Sequence, residues 1–328
     1  MNDTEDPIDA GLEDEATIIR KAKSDPRNLR ADAFPVIREP QYSSAAEAKD
    51  MDPEEWVIGV VLEGVPLAFP TNVLNQHEIV IDTFSEIPFM VCWCPLCRTG
   101  VVHLRTLDGE VLDFGHSGML YHDAFLLYDR RTGSLWHNAM GRGLTGEMRG
   151  RQLETLPSRF VKWDVWRKAH PDTRVLAKDR NDSRQTRDTY TDLNLRVGTS
   201  FGLGVLVDGT PRLYEFSKLA QTPVVLDRIG RVPIVVLWDE DTETAVAWRR
   251  ILDGRVLSFH HAEDGVDGLP RLEDTGEGNS VFNAITGRCL EGPLKGKSLD
   301  PVLSSYWEVN AWIVHHRYGS IYRARKSP

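Results

Sequence analysis

Within residues 72–100, NVLNQHEIVIDTFSEIPFMVCWCPLCRTG, six side chains able to hold a metal or carry a proton fall within 21 positions: His77, Glu78, Asp82, Cys92, Cys94 and Cys97. Cys94-Pro-Leu-Cys97 sets two thiols at the end of a strand-like run, and the turn between them can fold both sulfurs to one side. Sulfur with imidazole suits Zn²⁺ or Cu(I) better than Mg²⁺ or Ca²⁺. Cys94, Cys97 and His77 are the expected ligands, with Cys92 and His116 in reserve. Three ligands leave an open position, the pattern of a catalytic or labile metal site. A closed structural zinc site would want a second CxxC, and Cys289, the other cysteine, stands far along the chain. Glu78 and His137 are the candidate acid–base groups; His103 and His122 could also complete a shell or move protons.

The same residues allow a second chemistry. A CxxC can cycle between dithiol and disulfide, with Cys92 able to resolve the pair. No βαβ pattern of the kind that frames thioredoxin-like motifs accompanies it. If His77 and Glu78 lie on a strand, only one of them faces the cysteines, and His77 is expected to, because imidazole is the commoner ligand. His260-His261 and His315-His316 are weaker candidates, since neighbouring histidines rarely share an ion. Asp129 is expected to orient a loop, and Trp136 and Trp163 to pack in the core.

These side chains need a scaffold of short strands. VIGVVLEGVPLAF reads as two strands turning at Glu63-Gly64. FMVCWC is a strand stopped by Pro95. VVHLRTLDGEVLDFG turns at Asp108-Gly109, and LLYDRRTGSLWH near Thr132-Gly133. A helix over FVKWDVWRKAH is expected, capped by Ser158 and stopped by Pro171. Residues 1–50 are polar and acidic, with a weak helical pattern at Glu15 to Lys23, and read as a mobile leader or surface arm. Residues 177–201 are rich in charge and read as a linker.

After that linker the pattern returns. IGVVLEGVPLAF matches LGVLVDGTPRLY, IPFMVCW matches VPIVVLW and DGEVLDF matches DGRVLSF, all at an offset of 145. SLWHNAMGRGLTGEMRGRQL matches SVFNAITGRCLEGPLKGKSL at an offset of 146, as do Ser158, Trp166 and His170 with Ser304, Trp312 and His316. This implies two copies of one β unit, each closed by a helix, at 51–176 and 202–328. The copies share Trp93/Trp238, Asp82/Asp227 and His116/His261, which therefore read as packing or hydrogen-bonding residues. The cluster is not shared. His77 faces Thr222, Glu78 faces Pro223, Cys92 faces Leu237, Cys94 faces Asp239 and Cys97 faces Thr242. The scaffold does not require these residue types, so they read as placed for chemistry.

The 328 residues carry 41% hydrophobic and 27% charged side chains and a net charge of −10, an ordinary globular composition that argues against nucleic acid as a partner. No run approaches a membrane-spanning length. The N-terminus has seven acidic residues before Arg20 and no apolar core of the secretory kind, so a cytoplasmic location is expected.

LNQHEIVIDTFSEIPFMVCWCPLCRTGVV resembles the signature of domain-of-unknown-function family 3179, roughly L-N-x-H-E-I-V-N-D and then a strand ending Y-C-P-L-C-x-T. DFGHSGMLYHDAFLLYDRRTGSLWHNAMGRGLTG is similar to that family's later stretches, and the likeness spans about residues 34–322. The resemblance implies functional positions at His77, Glu78, Asp82, Cys94, Cys97, Asp129 and Trp136. The chain departs at Ile81, at Trp93 with Cys92 before it, and at His137-Asn138, where the family's Gln is displaced. Many members look exported or lipid-anchored, a signal this chain does not show. The sequence therefore leads to a mainly β (α+β) protein and a metal-dependent oxidoreductase acting on a small molecule. Copper is preferred over zinc or iron. The alternatives are a metal-binding or interaction protein without turnover, and a thiol-disulfide protein.

Overall fold

The strand Trp56–Leu62 is buried at every position but Val61, because both of its neighbours are strands. In the computed structural model, which describes residues 12–179, 181, 200–262, 267–276 and 279–323, it is a middle strand of a five-stranded sheet. The order is Tyr42–Ser44, Arg174–Leu176, Val65–Pro70, Trp56–Leu62, Ser158–Lys162. The tight turn at Glu63-Gly64 runs through two positive φ values, 47° and 76°. A second sheet orders Thr155–Leu156, Thr99–Leu104, Ile87–Cys94, Ile79–Phe84, and a third orders Arg142–Gly143, Leu135–His137, Ala124–Asp129, Phe114–Tyr121.

Residues 201–323 build further sheets. Leu303–Glu308, Phe201–Val207, Thr210–Glu215 and Ser320–Ile321 form one sheet. Val224–Ile229, Val232–Asp239 and Thr244–Arg249 form another, and Phe259–Ala262, Arg271–Asp274, Val281–Asn283 and Cys289–Glu291 a third. The protein is mainly β with few helices. An aromatic series joins the two parts: Trp93 stacks on Phe160 at 5.1 Å, Phe160 meets Tyr306 at 5.3 Å, Tyr306 meets Phe216 at 4.9 Å, and Phe216 stacks on Trp238 at 4.6 Å. Burial of such large rings is favourable through the apolar area it removes from water.

The structure departs from the sequence reading at three points. Ser158 does not cap a helix. It opens the strand Ser158–Lys162, paired antiparallel with Trp56–Leu62, and the helix is only Trp163–Ala169. Phe160 and Val161 are both buried by sheet and aromatic neighbours, which overrides the helical pattern read across them. Ser304 likewise lies in a strand, and the helix after it, Val309–His315, is capped by Glu308 through the Ala311 N–H at 2.9 Å. Residues 12–50 do not stand off the body. The helix Glu15–Ser24 buries Ile18 and Ala22 completely, and Ile37 bridges to Val80. The first eleven residues and most of 177–201 lie outside the described residues. Among the described residues no helix is long and apolar enough to cross a membrane. Trp136 and Trp163 are buried in the core, and Asp129 holds its turn through the Thr132 N–H at 2.7 Å and Trp136 Nε1 at 3.0 Å.

Candidate functional site

Strand Ile87–Cys94 pairs with Ile79–Phe84 on one side and with Thr99–Leu104 on the other, so Cys92 lies opposite Ile79 and Val101. Cys92, Cys94 and Cys97 are fully buried and reduced. The turn after Cys94 brings the Cys97 N–H to the Cys94 sulfur at 3.4 Å, and the Cys94 thiol reaches the Asp123 carbonyl at 3.5 Å. Burial works to raise the Cys94 thiol, but hydrogen bonds from the Cys97 thiol and N–H hold it below the ordinary thiol value. Burial, and then the Cys94 sulfur, push Cys97 well above that value. Cys92 is raised by burial, with the Glu78 carboxylate and Cys94 adding to it.

His77 and Glu78 are not on a strand. Thr71–His77 is a helix, and Glu78 ends it in the left-handed conformation, φ 58°, with its N–H on Leu74 O. That reversal decides which side chain turns inward. Glu78 is buried and its Oε2 lies 2.9 Å from His116 Nε2. His116 Nδ1 accepts the Gly118 N–H at 2.9 Å, so the ring proton sits on Nε2 and is donated to Glu78. His116 also stacks on Phe125 at 4.7 Å. His77 is only half-buried and donates from Nδ1 to the Pro35 carbonyl at 2.7 Å. Asp82 accepts from Tyr42 at 2.8 Å and caps Thr83 N, a structural engagement.

The structure thus gathers Cys92, Cys94, Cys97, Glu78 and His116, while His77 is held by Pro35 and His137 lies elsewhere. Among the described residues no three His, Cys, Asp or Glu side chains are placed as a metal's ligands. Two sulfurs fit a soft ion. A third donor would come from Glu78 or His116, which hold each other, or from Cys92.

This chain belongs to the family described as Protein of unknown function (DUF3179). The family's model matches residues 31–318. No curated protein and no solved structure matches it. In this DUF3179 chain, Glu78, Cys94 and Cys97 of the signature meet in one buried region, whereas Asp82 accepts from Tyr42 and Asp129 from Thr132 and Trp136.

His137 is fully buried in the strand Leu135–His137. Its Nδ1 accepts the N–H groups of Ala139 and Met140, each at 3.2 Å, so Nε2 bears the proton and donates to His315 Nδ1 at 3.0 Å. His315 Nε2 in turn donates to the His122 carbonyl at 3.0 Å. All four ring nitrogens are engaged. Burial, with neighbouring histidines adding to it, holds His137 well below the usual imidazole range, and burial lowers His315 to about 4. The pair stands neutral at pH 7. In the sequence His315 stands out only beside His316. Its contact with His137 spans 178 positions and leaves no local signal. His260 and His261 sit near Glu273 and Asp239 at 3.3 and 3.5 Å. Buried His103 is held by Asn138 O and Thr155 Oγ1.

Proposed function

We propose that this protein is an oxidoreductase whose reacting group is the Cys94–Cys97 dithiol, acting on a small molecule. The carrying observation is the Cys97 N–H directed at the Cys94 sulfur at 3.4 Å, in the turn that joins the two thiols. Hydrogen bonding from Cys97 eases loss of the proton that the resting Cys94 thiol directs at the Asp123 carbonyl, and so gives the thiolate, the nucleophilic form. The Cys94 thiolate attacks one sulfur of a small disulfide, R–S–S–R, and releases R–S⁻. Cys97 then gives up its proton and attacks the Cys94 sulfur of the mixed disulfide, releasing the second R–S⁻. Two cysteine sulfurs are oxidised, two substrate sulfurs are reduced, and the two thiol protons go to the released thiolates. Both thiols are buried, so a small substrate suits the site, entering as the turn around exposed Leu96 opens. A reducing cytoplasmic setting would keep the pair as dithiol.

We read the two halves as copies of one unit, which gives the cysteines an internal reference. Asp239 and Thr242 stand where Cys94 and Cys97 do, and the Thr242 N–H meets Asp239 Oδ1 at 2.9 Å, as the Cys97 N–H meets sulfur. Gly59 and Gly204 each lie against an indole, of Trp166 and of Trp312. In this reading the fold needs only an acceptor at position 94, and an oxygen serves. Sulfur there supports chemistry rather than folding.

The test is equilibration in glutathione buffers of graded ratio, acid quenching and intact mass. A Cys94–Cys97 disulfide should form with loss of two hydrogens, and Cys97→Ser should trap a mixed disulfide on Cys94. Absence of both across the whole range would end this reading.

A soft metal at Cys94 and Cys97 is the second reading, favoured by the same acidified sulfur beside Glu78, His116 and Cys92. Copper leads over zinc or iron. Elemental analysis of the parent beside Cys94→Ser/Cys97→Ser decides it. About one equivalent of metal, lost in the double variant, supports it.

A further inference from the structure

A cleft of about 560 Å³ opens where residues 101–158 meet residues 204–211 and 303–318. Neither the dithiol nor the Glu78–His116 pair lines it. Its walls are mostly apolar, with Val101, Leu153, Leu206, Leu303 and Trp307 among them, and His137 and His315 stand in its lining. This volume falls within the usual range for a small-molecule site.

Four charged side chains stand in the lining, Glu13, Arg142, Glu154 and Arg317, two of each sign, so they give the cleft no net charge. The proton order from Ala139 and Met140 through His137 and His315 to His122 holds only with both rings neutral, because a proton on His137 Nδ1 would oppose two amide N–H groups. His316, stacked on Trp312 at 3.7 Å, is lowered by burial to about 3. Glu13 at the rim is paired with Lys21 and with Arg317. Polar handles are nonetheless present. The Ser305 oxygen accepts Trp307 Nε1–H at 2.8 Å, which leaves its own proton to donate. Gln152 spends its Nε2 on the carbonyls of Met140, Gly141 and Leu153, so its oxygen serves as an acceptor.

We infer that this cleft is a binding site for an uncharged, largely apolar small molecule bearing a hydroxyl, amine or carbonyl group. An ion entering it would leave its hydration shell for mostly apolar walls and neutral imidazoles, beside charged side chains of both signs that offer it no net counter-charge. An uncharged ring system loses no such shell and gains contact with Trp307 and the leucines. The inference stands independently of the dithiol.

The probes are N-phenyl-1-naphthylamine, uncharged with one N–H, and its sulfonated relative 8-anilinonaphthalene-1-sulfonate, which has the same rings and one negative charge. Titration of the full chain should give one saturable site for the amine, with quenching of tryptophan emission. The sulfonate should bind about tenfold or more weakly. Leu303→Glu should abolish amine binding and Leu303→Met should keep it, each with an unchanged circular dichroism spectrum. Leu206→Glu, at a position already 37% exposed, repeats the test where folding is not at risk. No saturable amine binding, equal affinity for both probes, or amine binding that survives both Glu variants in folded protein would each overturn the inference.

Discussion

Cys94 and His315 donate to adjacent carbonyls of one two-residue turn: the Cys94 thiol to Asp123 at 3.5 Å, and His315 Nε2–H to His122 at 3.0 Å. Both turn residues hold positive φ, 50° and 66°, a region costly for side chains other than glycine. Each bond holds one carbonyl of the turn, and a disulfide sulfur has no proton to donate. Oxidation of Cys94–Cys97 should therefore be felt at His315. Two-dimensional imidazole ¹⁵N spectra of reduced and oxidised protein should show the His315 resonances shifted, and those of exposed His260 unmoved. A quantitative disulfide with an unmoved His315 would separate the two sites.

Glu78 acts on the thiols through its charge. Its carboxylate works to raise Cys92 and opposes ionisation of Cys94. Glu78→Gln keeps an oxygen for the His116 N–H, so the fold should persist, while the opposing charge is gone. Cys94 should then ionise at lower pH, and the pH profile of its alkylation by iodoacetamide should move to lower pH. A shift upward, or none in a folded variant, would remove Glu78 from the electrostatics of the site.

The hairpins at Glu63-Gly64, Asp108-Gly109 and Thr132-Gly133 were legible because their turn residues and alternation are local. The cysteine trio was legible from spacing alone. The choice between His77 and Glu78 was not, because it turns on one left-handed residue at a helix end, and glutamate gives no hint of that conformation. The Ser158 cap failed for a related reason. FVKW carries helical spacing, but Trp56–Leu62, about 100 positions earlier, supplies a strand for it to pair with. The cleft was invisible because its lining comes from segments separated by up to about three hundred positions.

Gly59 and Gly204 test the packing of the helices Trp163–Ala169 and Val309–His315. A Cβ on Gly59 would lie 2.4 Å from the Trp166 ring, and one on Gly204 2.1 Å from Trp312. Gly59→Ala and Gly204→Ala should each cost about 1–3 kcal/mol in urea unfolding, through overpacking. Gly64→Ala meets no atom within 4 Å, so any cost there comes from its φ of 76° alone. Costs near zero at Gly59 and Gly204 would mean that neither indole is rigidly seated.

His137 makes two predictions that a catalytic role would not. Its Nδ1 holds the Ala139 and Met140 amides as the Asn283 side chain holds Ile285 N and Thr286 N, at 2.9 and 3.0 Å. His137→Asn should keep that turn, whereas His137→Ala should leave buried N–H groups unpaired and cost about 1–3 kcal/mol more. The second concerns pH. Burial depresses His103, His170 and His315 to about 4 and His316 to about 3, and holds His137 well below its ordinary value. Unfolding restores ordinary imidazoles, so between about pH 6.5 and 4 the unfolded chain binds more protons than the native one. The stability these groups contribute is present above about pH 6.5 and is lost as pH falls towards 4, by up to about 1.4 kcal/mol per pH unit for each histidine. Urea midpoints measured from pH 7.5 to 5 should fall accordingly, less steeply in His137→Asn. A flat profile over that range would mean that these histidines are already accessible to protons in the native protein.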